Sequence, residues 1–214
     1  MRELGVYLVA NTASCTPHST LEVIRAAVAG GVQWVQLRAK DESAREFHDL
    51  ALAAGEITRD KAELLINDRV DVYLAARAAG AAVTGVHIGQ QDLPVALVRE
   101  LIGPEAILGL SASTDEQLHA ANEAARLIDY LGVGAIRATP TKKDHPTPLG
   151  IAGFARAAGI STLPCVAIGS LEATDADILR QSQAAGMAVV RAICAATDPQ
   201  RATTELINAW EGKK

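Results

Sequence analysis

The chain has 214 residues, 49% hydrophobic, 21% charged and only 3% aromatic, with a formal net charge of −5. That size holds one full domain with a sizeable core, its apolar runs are too short to span a bilayer, and the acidic balance disfavours nucleic acid as a partner. Cys15, Cys165 and Cys194 are too few and odd in number for a disulfide framework, and no basic-then-apolar leader follows Met1, so the cytoplasm is the expected compartment.

In chain order, short apolar runs alternate with amphipathic helical patterns. The first run, Leu4–Ala10, precedes Ser19-Thr20-Leu21-Glu22, a capping box that opens a helix with Leu21, Ile24 and Val28 on one side. Gly30-Gly31 stops that helix. Val32–Leu37 leads to a second capping box, Ser43-Ala44-Arg45-Glu46, followed by Phe47, Leu50, Ala54 and Ile57. Glu63–Ile66 precedes a helical pattern over Val70–Ala79, and Gly85–Ile88 precedes one over Val95–Leu101. Ala106–Leu110 leads to a third box, Thr114-Asp115-Glu116-Gln117. Ile128–Leu131 is paired with a helix over Leu149–Ala158, Pro164–Ile168 with Asp175–Ala185, and Met187–Arg191 with Pro199–Trp210.

Most of these runs are continuous rather than alternating, as for strands covered on both faces. Repeated strand–helix units imply a parallel sheet. Eight of them predict an α/β chain folded as a single (β/α)8 TIM barrel over residues 1–214, a fold whose usual size starts at about 200 residues. An open, flavodoxin-like sheet would need only about five strands. No linker, charge block or low-complexity tract divides the chain.

In such a barrel the chemistry sits at the C-terminal ends of the strands. The second run continues into Gln36-Leu37-Arg38-Ala39-Lys40, whose alternation puts an amide and two cations on one face. That set suits phosphate oxygens, and equally suits ordinary surface ion pairs. Asn67-Asp68 ends the third run, and Gln90-Gln91-Asp92 follows the fourth. Asp68 and Asp92 either cap the next helices or share Mg²⁺ with substrate phosphates, and the basic groups one strand away favour the metal. Ser111 follows the fifth run. After the sixth comes Thr139-Pro140-Thr141-Lys142-Lys143, two hydroxyls and two lysines in one long loop. Gly169-Ser170 and Val190-Arg191 lie at the ends of the last two runs, where barrels often bind phosphate through backbone N–H groups.

His87, inside the fourth run, reads as a structural hydrogen-bonding residue. The other histidines lack metal-ligand spacing. Cys165 and Cys194 read as buried thiols, and Trp34, Trp210, Phe47 and Phe154 as packing residues. No nucleophile–base set stands out.

These motifs form a set. Gln36-Leu37-Arg38-Ala39-Lys40, Ile66-Asn67-Asp68-Arg69-Val70-Asp71, Gly85-Val86-His87-Ile88-Gly89-Gln90-Gln91-Asp92, Gly109-Leu110-Ser111, Thr139-Pro140-Thr141-Lys142-Lys143 and Ala167-Ile168-Gly169 resemble, in order and over nearly the whole length, the thiamine-phosphate synthase (thiamine-phosphate pyrophosphorylase) family. The resemblance implies a (β/α)8 barrel that joins 4-amino-5-hydroxymethyl-2-methylpyrimidine diphosphate to 4-methyl-5-(2-phosphooxyethyl)thiazole, releasing pyrophosphate. By motif match, Gln36, Arg38, Lys40, Asn67, Ser111 and Lys142 would hold the pyrimidine diphosphate, with Arg38, Lys40, Ser111 and Lys142 acting in catalysis. Asp68 and Asp92 would bind Mg²⁺. Thr139, Thr141, Gly169, Ser170, Val190 and Arg191 would form the thiazole-phosphate side. The implied partners are these two small molecules, with no nucleic acid and no membrane, and a homo-oligomer stays open.

The chain departs from the family at Ser170, where a second glycine is usual, at Arg191, where a serine is usual, and at Ala135, where a proline is usual. The segment between Asp68 and Asp92 is also longer than usual. A non-glycine at position 170 costs roughly 1–2 kcal/mol if φ there is positive. Two other readings remain. One is a thiazole tautomerase on the same barrel, which has no use for Lys40, Asp68, Asp92 and Lys142. The other is a non-catalytic binder of thiamine precursors.

Overall fold

The computed structural model describes residues 4–138 and 147–213. Eight parallel strands close into one barrel in sequence order: β1 (Gly5–Asn11), β2 (Trp34–Arg38), β3 (Glu63–Asn67), β4 (Gly85–Ile88), β5 (Ile107–Ser111), β6 (Tyr130–Gly134), β7 (Cys165–Ile168) and β8 (Gly186–Val189). The ring closes where Gly5 of β1 lies in register with Gly186 of β8, and Leu8 with Val189. Around it run α1 (Thr20–Ala29), α2 (Ala44–Thr58), α3 (Val70–Ala78), α4 (Val95–Ile102), α5 (Asp115–Glu123), α6 (Gly150–Ile160), α7 (Ala176–Gln181), α8 (Arg191–Cys194) and α9 (Pro199–Glu211). No described helix is long and apolar enough to cross a membrane.

Local chemistry sets most of the boundaries. All three capping boxes form: Ser19 with Glu22, Ser43 with Glu46, and Thr114 with Gln117. Each cap is worth about 1 kcal/mol. Several boundaries differ from the expected ones: α7 ends at Gln181 rather than Ala185, β2 starts at Trp34 rather than Val32, and the ends of β6 and β8 move. β6 runs past Leu131 through Gly132 to Gly134, because these glycines serve close approach rather than a turn; a Cβ on Gly134 would lie 2.1 Å from the Ile168 carbonyl oxygen. β8 stops at Val189, short of the expected Arg191. Val190 leaves the strand at φ −113° and ψ −83°, and Arg191 opens α8.

Strand alternation divides the core in two. Val6, Leu8, Val35, Leu37, Leu64 and Ile66 face outward against helix residues such as Ile24, Phe47 and Phe154. Tyr7, Val9, Trp34, Leu65, Tyr130, Val166 and Ala188 fill the barrel itself. The three rings there meet at tilted angles, with centroids 5.9 Å apart for Tyr7 with Trp34 and with Tyr130, and 6.1 Å for Trp34 with Tyr130. Such bulk needs glycine opposite it. In register, Gly109 stands between His87 on β4 and Tyr130 on β6. A Cβ there would sit 2.3 Å from Tyr130 Cζ and 2.4 Å from His87 Nδ1.

Gly109→Ala therefore overpacks the barrel, and we expect a loss of about 3 kcal/mol in urea unfolding. A wild-type midpoint would show that the two rings yield freely and do not pin the barrel.

Candidate active site at the barrel mouth

The end of β2 supplies the first cluster. Gln36 is buried below the mouth, where its amide donates to the Tyr7 hydroxyl at 3.1 Å. Arg38 is half-buried and donates from Nη1 to Asn11 Oδ1 at 2.7 Å, while Asn11 Nδ2 donates to Ser14 Oγ at 2.7 Å. Burial lowers the Arg38 pKa, and Asp68 and Asp41 oppose that shift. An arginine starts so high that it stays charged. Lys40 lies just past the strand and forms an ion pair with Asp68. The sequence reading misses Asn11, although it stands just beyond Leu4–Ala10 much as Asn67 stands beyond Glu63–Ile66.

The two acids come next. Asp68 adopts φ +60°, with its N–H donating to the His87 carbonyl at 2.8 Å. A left-handed non-glycine residue at a strand end is the kind of strain that collects at functional sites. Asp92 Oδ2 accepts the Gly89 N–H at 2.6 Å. Neither acid caps a helix: the residues at the starts of α3 and α4 are Arg69 and Pro94, and neither cap has a side-chain hydrogen bond. Helix capping, the alternative role for these acids, therefore does not hold. Partial desolvation pushes the Asp92 carboxyl above its ordinary range, and the Asp68 charge adds to the rise; the Gly89 amide and Lys40 pull the other way.

The two carboxylates thus repel, and Lys40, paired with Asp68, offsets part of that repulsion. Among the described residues no cluster of three His, Cys, Asp or Glu side chains forms a complete metal cage. The pair nevertheless fits Mg²⁺, which is usually held by one or two carboxylates plus phosphate oxygens and water.

On the neighbouring strands, Asn67 is buried and in register with His87. Ser111 ends β5 with its Oγ 3.0 Å from His87 Nε2, and its carbonyl accepts from Gln90 Nε2 at 2.6 Å. His87 is thus the hydrogen-bonding residue the sequence implies, and it touches a candidate site residue.

The far side of the mouth is a tight turn. Gly169 adopts φ +123°, and a Cβ there would lie 2.7 Å from Ile136 N, so only glycine fits. Ser170 adopts φ +49°, the backbone that makes its departure from glycine costly. Two contacts hold it: Ser170 Oγ donates to the Ala138 carbonyl at 2.7 Å, and Arg137 Nη1 donates to the Ser170 carbonyl at 3.0 Å. The same guanidinium grips Asp175, 2.7 Å from Nη1 to Oδ2, and holds that buried carboxyl below its ordinary range. Val190 is half-buried beside this turn and Arg191 is exposed at the head of α8, off the strand on which it was expected. Thr139, Thr141 and Lys142 lie outside the described residues.

The mouth therefore joins a cationic and carboxylate cluster to a tight glycine turn. A family model for thiamine monophosphate synthase matches residues 6–193. The chain belongs to the thiamine monophosphate synthase family. It is 45% identical over 195 residues to the thiamine-phosphate synthase of Corynebacterium efficiens, covering 91% of this chain and 90% of that one. It is 42% identical over 212 residues to that of Vibrio parahaemolyticus, covering 99% and 100%. Among solved structures, the thiamine phosphate pyrophosphorylase of Pyrococcus furiosus matches with a TM-score of 0.83 and 28% identity, over 98% of this chain and 96% of that one. A 3-hexulose-6-phosphate synthase at 14% identity and a TM-score of 0.69 shares the fold alone.

The Arg137–Asp175 pair gives a pH test for this family member. Asp175 is held below its ordinary range, so the pair stabilises fully above the ordinary carboxyl value of 3.8 and is lost as pH falls through the lowered folded value. With Arg137 half-exposed, we expect Asp175→Asn to cost about 1 kcal/mol at pH 7 and less by pH 3, read from urea midpoints. A cost that does not shrink in acid would show that the carboxylate charge plays no part.

Proposed function

We propose that this chain joins 4-amino-5-hydroxymethyl-2-methylpyrimidine diphosphate to 4-methyl-5-(2-phosphooxyethyl)thiazole, giving thiamine phosphate and pyrophosphate. The observation that carries this reading is the acid pair. Asp68 and Asp92 cap no helix, repel each other, and stand beside Lys40 and Arg38 at one mouth.

The bond that breaks joins the pyrimidine methylene carbon to a diphosphate oxygen. The electron-rich aminopyrimidine stabilises the cation left behind, and the thiazole nitrogen supplies the electron pair for the new C–N bond. Pyrophosphate leaves readily only when its charge is neutralised. Arg38 and Lys40 supply fixed positive charge for this, joined in our reading by Lys142, and Ser111 supplies a hydroxyl. Asn67 and Gln36 orient the pyrimidine end. Asp68 and Asp92 would hold Mg²⁺, which when bound neutralises the leaving group. Gly169, Ser170, Val190 and Arg191, with Thr139 and Thr141, would form the thiazole-phosphate side. No protein nucleophile is required. The three cysteines are free and buried, in keeping with a reducing cytoplasm.

Incubation of the purified protein with both substrates and Mg²⁺ should yield thiamine phosphate and pyrophosphate together. Binding of the pyrimidine diphosphate without product would favour the non-catalytic binder. Asp92→Ala should lower kcat by about 10²–10³-fold, the scale of a lost transition-state charge contact. Undiminished turnover in that variant would discard the acid pair.

A further inference from the structure

We infer that His87 is a positioning residue for Ser111, held as its Nε2–H tautomer by a hydrogen-bond chain that starts at Gln36. The chain crosses the barrel interior. Gln36 Nε2 donates to the Tyr7 hydroxyl at 3.1 Å, the Tyr7 and Tyr130 hydroxyls lie 2.8 Å apart, Tyr130 OH lies 2.8 Å from His87 Nδ1, and His87 Nε2 lies 3.0 Å from Ser111 Oγ.

With the Gln36 amide nitrogen facing Tyr7, hydrogen counting sets the direction. An amide NH₂ only donates, and each hydroxyl has one hydrogen. Tyr7 therefore accepts from Gln36 and gives its hydrogen to Tyr130. Tyr130 then gives its own to His87 Nδ1. With Nδ1 accepting, the imidazole proton sits on Nε2 and points at Ser111 Oγ. The reverse order would aim the Tyr7 hydrogen at an NH₂ group, leaving a buried donor unsatisfied. Both phenols keep their hydrogens at neutral pH, because burial pushes Tyr7 up to about 12 and Tyr130 well above its ordinary value.

The ring is seated as well as bonded. A Cβ on Gly109 would lie 2.4 Å from His87 Nδ1, and one on Gly132 would lie 3.0 Å from Cε1. Gln90 meanwhile holds the Ser111 carbonyl. Ser111 Oγ, already accepting from His87, is left to give its own hydrogen to a ligand. A hydroxyl so arranged selects an acceptor such as a phosphate oxygen. This last step rests on the function proposed above, whereas the tautomer does not.

Long-range ¹H–¹⁵N spectra of the ¹⁵N-histidine-labelled full chain, with the signal assigned by its loss in His87→Gln, read the tautomer directly. We expect the Nε2–H pattern in the wild type at neutral pH. Tyr7→Phe removes one hydroxyl but leaves Tyr130 free to donate, and should keep that pattern. Tyr130→Phe removes the donor at Nδ1 and should mix the tautomers, with kcat falling about tenfold and KM for the thiazole phosphate nearly unchanged. A wild-type Nδ1–H or doubly protonated pattern would overturn the inference, as would Tyr130→Phe that keeps both the Nε2–H pattern and full kcat. If the protein proves inactive, the wild-type and Tyr7→Phe spectra still decide the tautomer.

Discussion

The interior of an eight-stranded barrel has to be filled by side chains arriving from every strand, and here rings meet glycines. Tyr7, Trp34 and Tyr130 occupy the space, and Gly109 and Gly132 make room for Tyr130 and His87. Edge-on ring pairs add about 0.5–1.5 kcal/mol each beyond their burial. The price of filling a barrel with tyrosines is that their hydroxyls lose water. They must bond to one another, and the bonded chain then runs upward through His87 to Ser111. The floor of the site is thus continuous with the core. Packing in the barrel and polarity at its mouth are one problem with one solution.

Above that floor the charges are local. The protein carries a formal net charge of −5, yet Arg38 and Lys40 meet at one side of the mouth. A small anion responds to the nearest few groups, since the rest are screened over about 8–10 Å in ordinary salt. Net charge therefore disfavours a large polyanion and says little about a diphosphate. The opposite side uses backbone shape instead. Gly169 and Ser170 turn with positive φ, and Arg137 with Asp175 braces the turn from outside.

Much of this was legible in the sequence for identifiable reasons. Capping boxes and doubly covered strands have local signatures, so eight units and three helix starts were readable. Asp68 and Asp92 were readable as candidates but not as non-caps, since the cap residues Arg69 and Pro94 show themselves only in three dimensions. Asn11, Tyr7 and Tyr130 left no local mark. Tyr7 and Tyr130 lie 123 residues apart and meet only because the barrel closes. The end of β8 was hidden because Val189 and Val190 are both β-branched and read as one strand. The strain expected at Ser170 is present, since its φ is +49°.

We propose that the mouth assembles a metal-assisted diphosphate site from two repelling carboxylates and the adjacent cations. Calorimetric titration with inorganic pyrophosphate, with and without Mg²⁺, tests it without requiring turnover. Binding should be at least about tenfold tighter with Mg²⁺, a gain of about 1.4 kcal/mol that Asp92→Asn abolishes. Equal pyrophosphate affinity with and without Mg²⁺, or an undiminished Mg²⁺ gain in Asp92→Asn, would contradict it.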